Sequence, residues 1–176
     1  EALCNHLLQI TSAGDLLNEL IERNLFITRI GTKQSANYRY HQLFSDFLRN
    51  RLLKTDLKKM RTLNERAAHW YWQQDAWEPA VRHILSADQP EKAARWMDLA
   101  ATEFYVRGRQ TVLSKWYETL SKLNLIDQAP RLLLYQAKVL GNQSSIKEAE
   151  ALLDLAEPRF QHDGDIDQVV NVMITR

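Results

Sequence analysis

The residues best suited to chemistry in this chain are five histidines and one cysteine. Histidine can act as an acid, a base or a metal ligand, and cysteine as a nucleophile or a metal ligand. Here the histidines are scattered: none follows another at His-x-x-x-His spacing, and Cys4 has no histidine at zinc-ligand spacing. The phosphate-loop pattern Gly-x-x-x-x-Gly-Lys-Ser/Thr and the Gly-x-Ser-x-Gly elbow are also absent. We therefore expect no catalytic residue, no metal site and no enzyme activity within these residues.

His41 stands where the pattern changes from strand to helix. In the stretch YRYHQLFSDFLRNRL (38–52), Tyr38 and Tyr40 alternate with polar residues, as in a strand. A histidine at such a junction either serves a ligand or is bonded to backbone, and the pattern leaves both readings open. Beyond His41 the apolar residues form one stripe at helical spacing, namely Leu43, Phe44, Phe47, Leu48 and Leu52.

An acidic run, HDGDID (162–167), has the alternate aspartates of a calcium-binding loop. Such a loop also has glycine at its sixth position and glutamate at its twelfth. Gln168 and Ile174 occupy those positions here. We therefore expect a capped, solvated turn in place of a calcium site.

A basic run, RNRLLKTDLKKMR (49–61), holds six cationic residues against the single acid Asp56. Clusters of this kind can neutralise nucleic-acid phosphates. The run follows the predicted hairpin, however, and does not lie on a recognition helix. A solvated helix face is the favoured interpretation.

Five tryptophans could fill gaps between helices or stack on a ligand. We expect Trp70, Trp96 and Trp116 to pack in the core. Trp72 lies off the main apolar stripe, on the helix face of Arg61 and Glu65. Trp72, Arg61 and Glu65 are therefore the predicted ligand or partner surface.

Composition and charge bound the class of protein. Apolar residues make up 45% and charged residues 26% of the 176 residues, which is ordinary for a globular protein. Five glycines and four prolines favour helices over a loop-rich all-β fold. A formal charge of +1 gives no general case for nucleic acid or an acidic membrane surface. The single cysteine permits no internal disulfide, which fits a reducing, cytoplasmic compartment.

Membrane and targeting segments are not predicted. No apolar run approaches the roughly 18 residues of a membrane span, and no signal peptide opens the chain. The chain begins with Glu1 instead of methionine and ends within the helix-like VVNVMITR. We therefore expect a piece of a longer protein, with chemistry that lies outside it.

Residues 1–53 have the pattern of the C-terminal part of a winged-helix domain. Two helical segments come first, and Ser12 with Asp15 resembles a capping box at the start of the second. The runs FITRI (26–30) and NYRYH (37–41) then predict two strands, joined by the polar GTKQSA, whose glycine suits a turn. Helix, helix, hairpin, helix is the order of elements in a winged helix.

Residues 54–176 contain no strand pattern and predict short-linked, antiparallel helix pairs. Small residues recur in three units, with starts 33 and then 36 residues apart, close to the period of about 34 in a tetratricopeptide (TPR) repeat. The chain is therefore predicted to be mainly α: a winged-helix remnant with one β-hairpin, followed by a TPR-like superhelix of antiparallel helix pairs. Helix starts are predicted at Asp75 with Glu78, Asp88 with Glu91 and Ser145 with Glu148. The repeated positions are Ala68, Ala80, Ile84 and Ala87, then Ala101, Leu113, Tyr117 and Leu120, then Ala137, Ala149, Leu153 and Ala156.

Several of these runs together resemble a known family, the MalT-type bacterial regulators. The runs are LIERNLFITRI, YRYHQLFSDFLRNRL and ERAAHWYWQQDAWEPAVRHILSADQPEKAARWM. The family pattern has Tyr-His-x-Leu-Phe-x-x-Phe-Leu after an apolar strand, which falls at residues 40–48 here. An Ala-Ala and Trp helix (67–70) and an Ala-(Val/Ile)-x-His-x-Leu block (80–88) follow. Pro79, where the family often has glutamate, is one departure.

The resemblance implies an architecture and a role for His41. These regulators are LuxR-type transcriptional activators with a STAND-class ATPase domain and a C-terminal helix-turn-helix. An upstream ATPase domain, downstream helical repeats and a small-molecule or protein inducer would be the partners of this chain. ATP or ADP would be the cofactor of the whole protein, and DNA would be contacted only by another domain. A winged-helix histidine in this class often contacts the phosphate of bound ADP, and His41 matches that position.

Two functions of different classes follow. The first is a non-catalytic regulatory segment of an ATP-dependent LuxR-family activator, which couples inducer binding to nucleotide-gated self-assembly. The alternative is a TPR-type protein–protein interaction adaptor unrelated to transcription. A Walker A motif upstream and a helix-turn-helix downstream in the gene would favour the first.

Overall fold

The computed structural model describes residues 1–31 and 37–176. The chain divides into two compact units, Glu1–Asp88 and Gln89–Arg176, and each has buried apolar residues of its own. The described residues are mostly helical, with one two-stranded antiparallel sheet, so the predicted mainly α fold with one hairpin is confirmed. The connection 32–36, predicted as a turn, lies outside the described residues.

The described residues of the first unit form five helices and the hairpin. They are α1 (Ala2–Leu8), α2 (Ala13–Glu22), β1 (Ile27–Ile30), β2 (Asn37–Tyr40), α3 (Gln42–Thr55), α4 (Leu57–Gln73) and α5 (Trp77–Ser86).

The second unit is helical throughout. Its elements are α6 (Pro90–Val106), α7 (Gln110–Lys122), a short 3-10 helix (Ile126–Gln128), α8 (Pro130–Asn142), α9 (Ile146–Asp163) and α10 (Ile166–Thr175).

The hairpin forms where β-branched and aromatic residues predict it. Ile27 pairs with Tyr40 and Ile30 with Asn37, so the strands run antiparallel without a bulge among these pairs. Only Ile27 is buried in the two strands. Gly31 follows β1 with φ of 99°, a left-handed value that favours glycine because a side chain would clash with the backbone there.

Side chains of α1 and α4 connect the helices of the first unit. The amide of Ala13 donates to Oδ1 of Asn5 at 2.9 Å, and Arg66 donates to the carbonyl of Leu7 at 2.8 Å. Asn5 therefore satisfies a free amide at the start of α2. Ser12 occupies the predicted cap position, but its side chain makes no cap hydrogen bond. The predicted capping box is wrong in that respect.

The α4–α5 pair packs through small side chains. Ala68 and Ala80, two of the predicted repeat positions, are fully buried, and Ile84 is buried beside them. Asp75 and Asp88 do not cap the next helices as predicted, because both adopt left-handed conformations after the preceding helix. The caps are instead Ala76 and Gln89.

One apolar cluster of the second unit is built from α8, α9 and α10, and α6 and α7 bury apolar residues as well. The repeat positions Ala137, Ala149 and Leu153 are buried, together with Phe160 of α9 and Val172 of α10. Small residues at these positions let neighbouring helices approach closely. Trp96 and Trp116 are buried as predicted, whereas the predicted core residue Trp70 is half-buried.

A buried carboxylate fixes the start of α8. Asp98 of α6 accepts hydrogen bonds from the amides of Arg131, at 2.6 Å, and Leu132, at 3.2 Å. The Arg131 guanidinium reaches Asp98 at 3.4 Å and Asp165 at 2.7 Å. Burial raises the pKa of Asp98, and the amide and guanidinium donors oppose that shift. Arg131 thus connects α6, α8 and the N-terminal cap of α10.

The predicted domain boundary after residue 53 stays a prediction. It falls within α3, whereas the division into compact units lies after Asp88. Compactness reports contacts within a fold and does not test a boundary between domains. No helix formed by the described residues has the length and apolar content needed to cross a membrane.

Candidate functional site

The structure places His41 at the end of the hairpin, as the residue that precedes α3. Its amide donates to the carbonyl of Phe26 at 2.7 Å, which extends the pairing of the two strands by one step. Its own carbonyl accepts from the amide of Ser45 at 2.9 Å. The imidazole is exposed and makes no cap hydrogen bond to α3. The backbone of His41 is therefore fixed, while its ring is available.

Two cavities meet at His41. A cavity of about 630 Å³ is lined by Arg39, His41 and residues of both strands. The first amides of α3 lie in the same region, since Gln42 also lines this cavity. A helix N-terminus carries partial positive charge and favours anions. Imidazole, guanidinium and helix end together make this a place where a phosphate or carboxylate could bind.

The other cavity, of about 380 Å³, is apolar. It is lined by His41, Leu43 and three phenylalanines, Phe26, Phe44 and Phe47. The rings of Phe26 and Phe44 lie 5.1 Å apart, and those of Phe44 and Phe47 lie 6.3 Å apart. An adenine or another flat ring could stack on such a surface.

The apolar stripe of α3 is not buried within the chain. Leu43 is 75% exposed and Phe47 is 55% exposed, and no residue of α3 is buried. Phe26 is 62% exposed and has φ of 56°, a conformation that costs a non-glycine residue about 1–2 kcal/mol. Strained residues of this kind often lie at functional sites. The sequence places Phe26 in the first strand, whereas the structure places it before that strand.

A third cavity in this unit, of about 390 Å³, is almost wholly apolar. It is lined by leucines of α1 and α2 together with Cys4 and Tyr40. Burial raises the pKa of Tyr40, and the nearby Cys4 acts in the same direction. Cys4 and Tyr40 lie far apart along the chain, so no pattern in the sequence connects them.

Trp72, Arg61 and Glu65, the predicted contact surface, all lie on α4. Arg61 is exposed and forms an ion pair with Asp88 at 2.5 Å. Trp72 is half-buried, and its ring lies 6.5 Å from that of Trp77. Nothing in this geometry tests the role of the three residues, so the surface stays a prediction.

Comparison with known proteins bears on the His41 junction. Residues 1–60 match the family described as the MalT winged helix domain. The chain is MalT-like. Over 152 residues it is 28% identical to the HTH-type transcriptional regulator MalT of Klebsiella pneumoniae. The alignment covers 85% of this chain and 16% of the regulator. The resemblance predicted from the sequence is thereby confirmed, and His41 lies within the MalT-like winged helix.

This MalT-like chain is also similar to proteins that are named as kinases. Over 128 residues it is 29% identical to the serine/threonine-protein kinase PknK of Mycobacterium tuberculosis. The alignment covers 72% of this chain and 11% of the kinase. The MalT-like chain therefore spans only 11% to 16% of the length of these curated relatives. No solved structure matches it.

In each of the two charged runs of the MalT-like chain, an aspartate caps a helix. Asp165 of the acidic run caps α10 by accepting from the amide of Gln168 at 3.3 Å, and Gly164 ends α9 in a left-handed conformation. This is the capped turn that the sequence predicts. In the basic run, Asp56 caps α4 by accepting from the amide of Lys59 at 2.8 Å. The cations around it are exposed.

Proposed function

We propose that this chain is a non-catalytic regulatory segment of a longer MalT-like activator. In the whole protein, the segment would couple the binding of an inducer to nucleotide-gated self-assembly. An ATPase domain of the STAND class would precede it, and a DNA-binding helix-turn-helix would lie elsewhere in the same chain. A cytoplasmic location follows from that role. The observation that carries the proposal is the match of residues 1–60 to the MalT winged helix domain.

His41 is the proposed link between the winged helix and the nucleotide. The match includes the hairpin end, where exposed His41 lines one cavity together with Arg39 and Gln42, the first residue of α3. A phosphate of ADP at that place would accept hydrogen bonds from the imidazole and from the first amides of α3. Such a contact holds the winged helix against the nucleotide, so that exchange of the nucleotide changes the stability of the closed state.

The repeats of helix pairs are the proposed sensor. Small side chains are buried at the predicted TPR-like positions in both compact units. A regular array of helix pairs offers an extended surface on which an inducer or neighbouring protomer can bind. Trp72, Arg61 and Glu65 are the proposed contact residues on α4. An inducer acts only if it binds the open and closed states with different affinity.

The substitution His41→Ala in the full-length protein tests the nucleotide link. Loss of one hydrogen bond to a charged phosphate costs about 1.5–3 kcal/mol, so ADP affinity should fall by about tenfold or more. Basal transcriptional activity should rise, since the closed state loses a contact. Isothermal titration with ADP and a reporter assay measure the two effects.

His6→Ala is the matched control. His6 is an exposed histidine of α1 in the same unit, and it lines neither cavity at His41. It should leave ADP affinity unchanged. Equal ADP affinity in His41→Ala and the natural protein would remove the proposed role of His41.

An adaptor is the second candidate function. It is favoured by the similarity to PknK, which is named as a serine/threonine-protein kinase and not as a transcription regulator. A segment that recurs beside different activities suits a module that binds another protein. If the full-length protein lacks a Walker A motif and shows no ADP binding, the adaptor is the better account.

A further inference from the structure

A cavity of about 430 Å³ lies within Gln89–Arg176, at the end of α8, the start of α9 and the end of α10. Its volume lies in the range of small-molecule sites. One part of its wall is apolar, with Ile146, Leu153 and Ile174. Lys138 of α8 lies in the wall as a cation. The cavity therefore combines an apolar surface with a positive charge.

The ammonium group of Lys138 is held in place by three helices. Its Nζ donates to Oδ1 of Asn171 on α10 at 2.6 Å. The same atom lies 5.8 Å from the ring centre of Tyr105 on α6 and 5.5 Å from that of Tyr135 on α8. These rings stack on each other, with centres 5.0 Å apart. Cation–π attraction at such distances orients the lysine without neutralising it.

The charge of Lys138 is not balanced by a carboxylate. No acidic side chain in the described ranges 1–31 and 37–176 forms an ion pair with it. Partial burial without a counter-ion lowers the pKa of Lys138. The other cation of the wall, Arg176, is already paired with Asp154 at 2.6 Å and Glu157 at 2.8 Å. Lys138 is thus the cation of this cavity that lacks an acidic partner.

We propose that this cavity binds a small carboxylate with an apolar or aromatic body. The carboxylate would pair with Nζ of Lys138, and the body would lie against Ile146, Leu153 and Ile174. One ammonium matches one negative charge, and Glu150 in the same wall disfavours a more highly charged anion such as a phosphate ester. The proposal gives the inducer of the proposed function a chemical class and a place, and in that respect it rests on the proposed function.

Gly141 offers a way to fill the cavity. It lines the cavity near the end of α8, and a Cβ atom built there meets nothing within 4 Å. A large side chain at this position can therefore enter the open space without a clash at its base. Gly141→Trp should prevent ligand binding while the helix is kept, since glycine is the poorer helix former.

The test is titration of the 176-residue chain with 2-naphthoate and with its uncharged analogue 2-naphthamide, followed by calorimetry or NMR. Naphthoate should bind at least about tenfold more tightly than naphthamide, the factor expected for one charged hydrogen bond. Lys138→Gln should remove that difference, and Lys138→Arg should restore much of it. Glu150→Gln should strengthen naphthoate binding by about two- to threefold, because it removes a like charge.

Lys147→Gln is the matched control, because Lys147 is an exposed lysine of α9 outside the cavity wall. It should leave naphthoate binding unchanged, and circular dichroism of every variant checks the fold. Equal affinity for naphthoate and naphthamide, an unchanged affinity in Lys138→Gln, or no binding of naphthoate at about 10 mM would each overturn the proposal. ADP binding at His41 is measured separately in the whole protein, so either idea can fail alone.

Discussion

At the scale of single residues, His83 shows how a histidine can serve structure. Its Nδ1 lies 2.9 Å from Oδ1 of Asn64, and its ring stacks on Tyr71 with centres 5.5 Å apart and 7° between the planes. The neutral ring with a proton on Nδ1 can donate to Asn64. Burial lowers the pKa of His83, and the nearby Arg82 and Arg49 lower it further.

This lowered pKa predicts a loss of stability in acid. The unfolded chain takes up a proton near the ordinary histidine pKa of about 6.5, whereas the folded chain does so only at lower pH. The stabilisation is thus present above pH 6.5 and is lost as the pH falls through the folded pKa. Urea unfolding at pH 7.5 and 5.5 measures it. His83→Phe should reduce the difference between the two pH values, and an unchanged difference in that variant would contradict the prediction.

Removing the Asp98 carboxylate should destabilise the start of α8. Asp98→Ala leaves the amides of Arg131 and Leu132 without their acceptor, and Arg131 loses one of its two carboxylates. A buried donor left unpaired costs about 1–3 kcal/mol, so the variant should be destabilised by at least about 2 kcal/mol. Denaturant unfolding measures the loss.

The control for Asp98 is another aspartate that pairs with arginine. Asp127 meets Arg159 at 3.2 Å, and both side chains are exposed. Exposed pairs contribute at most about 1 kcal/mol. Asp127→Ala should therefore have a small effect, and equal losses in the two variants would contradict the special role of Asp98.

At the scale of elements, the turns between helices share one backbone device. A residue with positive φ follows helix after helix in the described part of the chain, and most of these residues are not glycine. A left-handed conformation costs such a residue about 1–2 kcal/mol, which glycine avoids. The residues are Gln9, Asn24, Asp75, Asp88, Gly108, Asn124, Ser144 and Gly164.

Ser144→Gly should therefore stabilise the chain. Ser144 is exposed and has φ of 64°, so its replacement removes strain without loss of packing. We expect a gain of about 0.5–1 kcal/mol in the free energy of unfolding. Ser121→Gly is the opposite control, because Ser121 belongs to the last turn of α7, and glycine is a poorer helix former than serine. A loss of stability in Ser144→Gly would show that its side chain has a role in the turn.

The same turns explain which helix starts were predictable from the sequence. Ser145 stands at the N-cap position of α9, so the predicted helix start is correct, although its side chain, like that of Ser12, makes no cap hydrogen bond. Asp75 and Asp88 are not caps, because aspartate is also among the residues that best tolerate a left-handed turn. The residue type alone does not distinguish these two uses of aspartate. The predicted starts of α5 and α6 are therefore each one residue too early.

At the scale of the whole molecule, each compact unit has an interior of its own. Residues of Gln89–Arg176 bury a continuous apolar cluster that includes Leu133, Leu153 and Phe160. We therefore predict that residues 89–176 fold when they are expressed alone. Circular dichroism should show a helical protein with a cooperative thermal transition. A gradual loss of signal would contradict an independent core.

Periodicity predicted the contacts between helices better than it predicted the surface. Ala80 and Ala149 were expected where helices touch, and they are 0% and 8% exposed. The stripe at Leu43 and Phe47 has the same helical spacing, yet both side chains face outward. Spacing reports that one face of a helix is apolar, but it does not report what covers that face. The Lys138 cavity was missed for a related reason, since its wall combines residues of three consecutive helices with Tyr105 of α6, and spacing along one helix does not bring them together.

The distribution of the indole rings makes the chain its own optical reporter. Trp96 and Trp116 are enclosed in Gln89–Arg176, whereas Trp70, Trp72 and Trp77 are half-buried in Glu1–Asp88. Emission from enclosed indoles is shifted to shorter wavelength and resists quenching by acrylamide. If the two units unfold in separate steps, the wavelength of tryptophan emission should therefore change in two steps, without any added label.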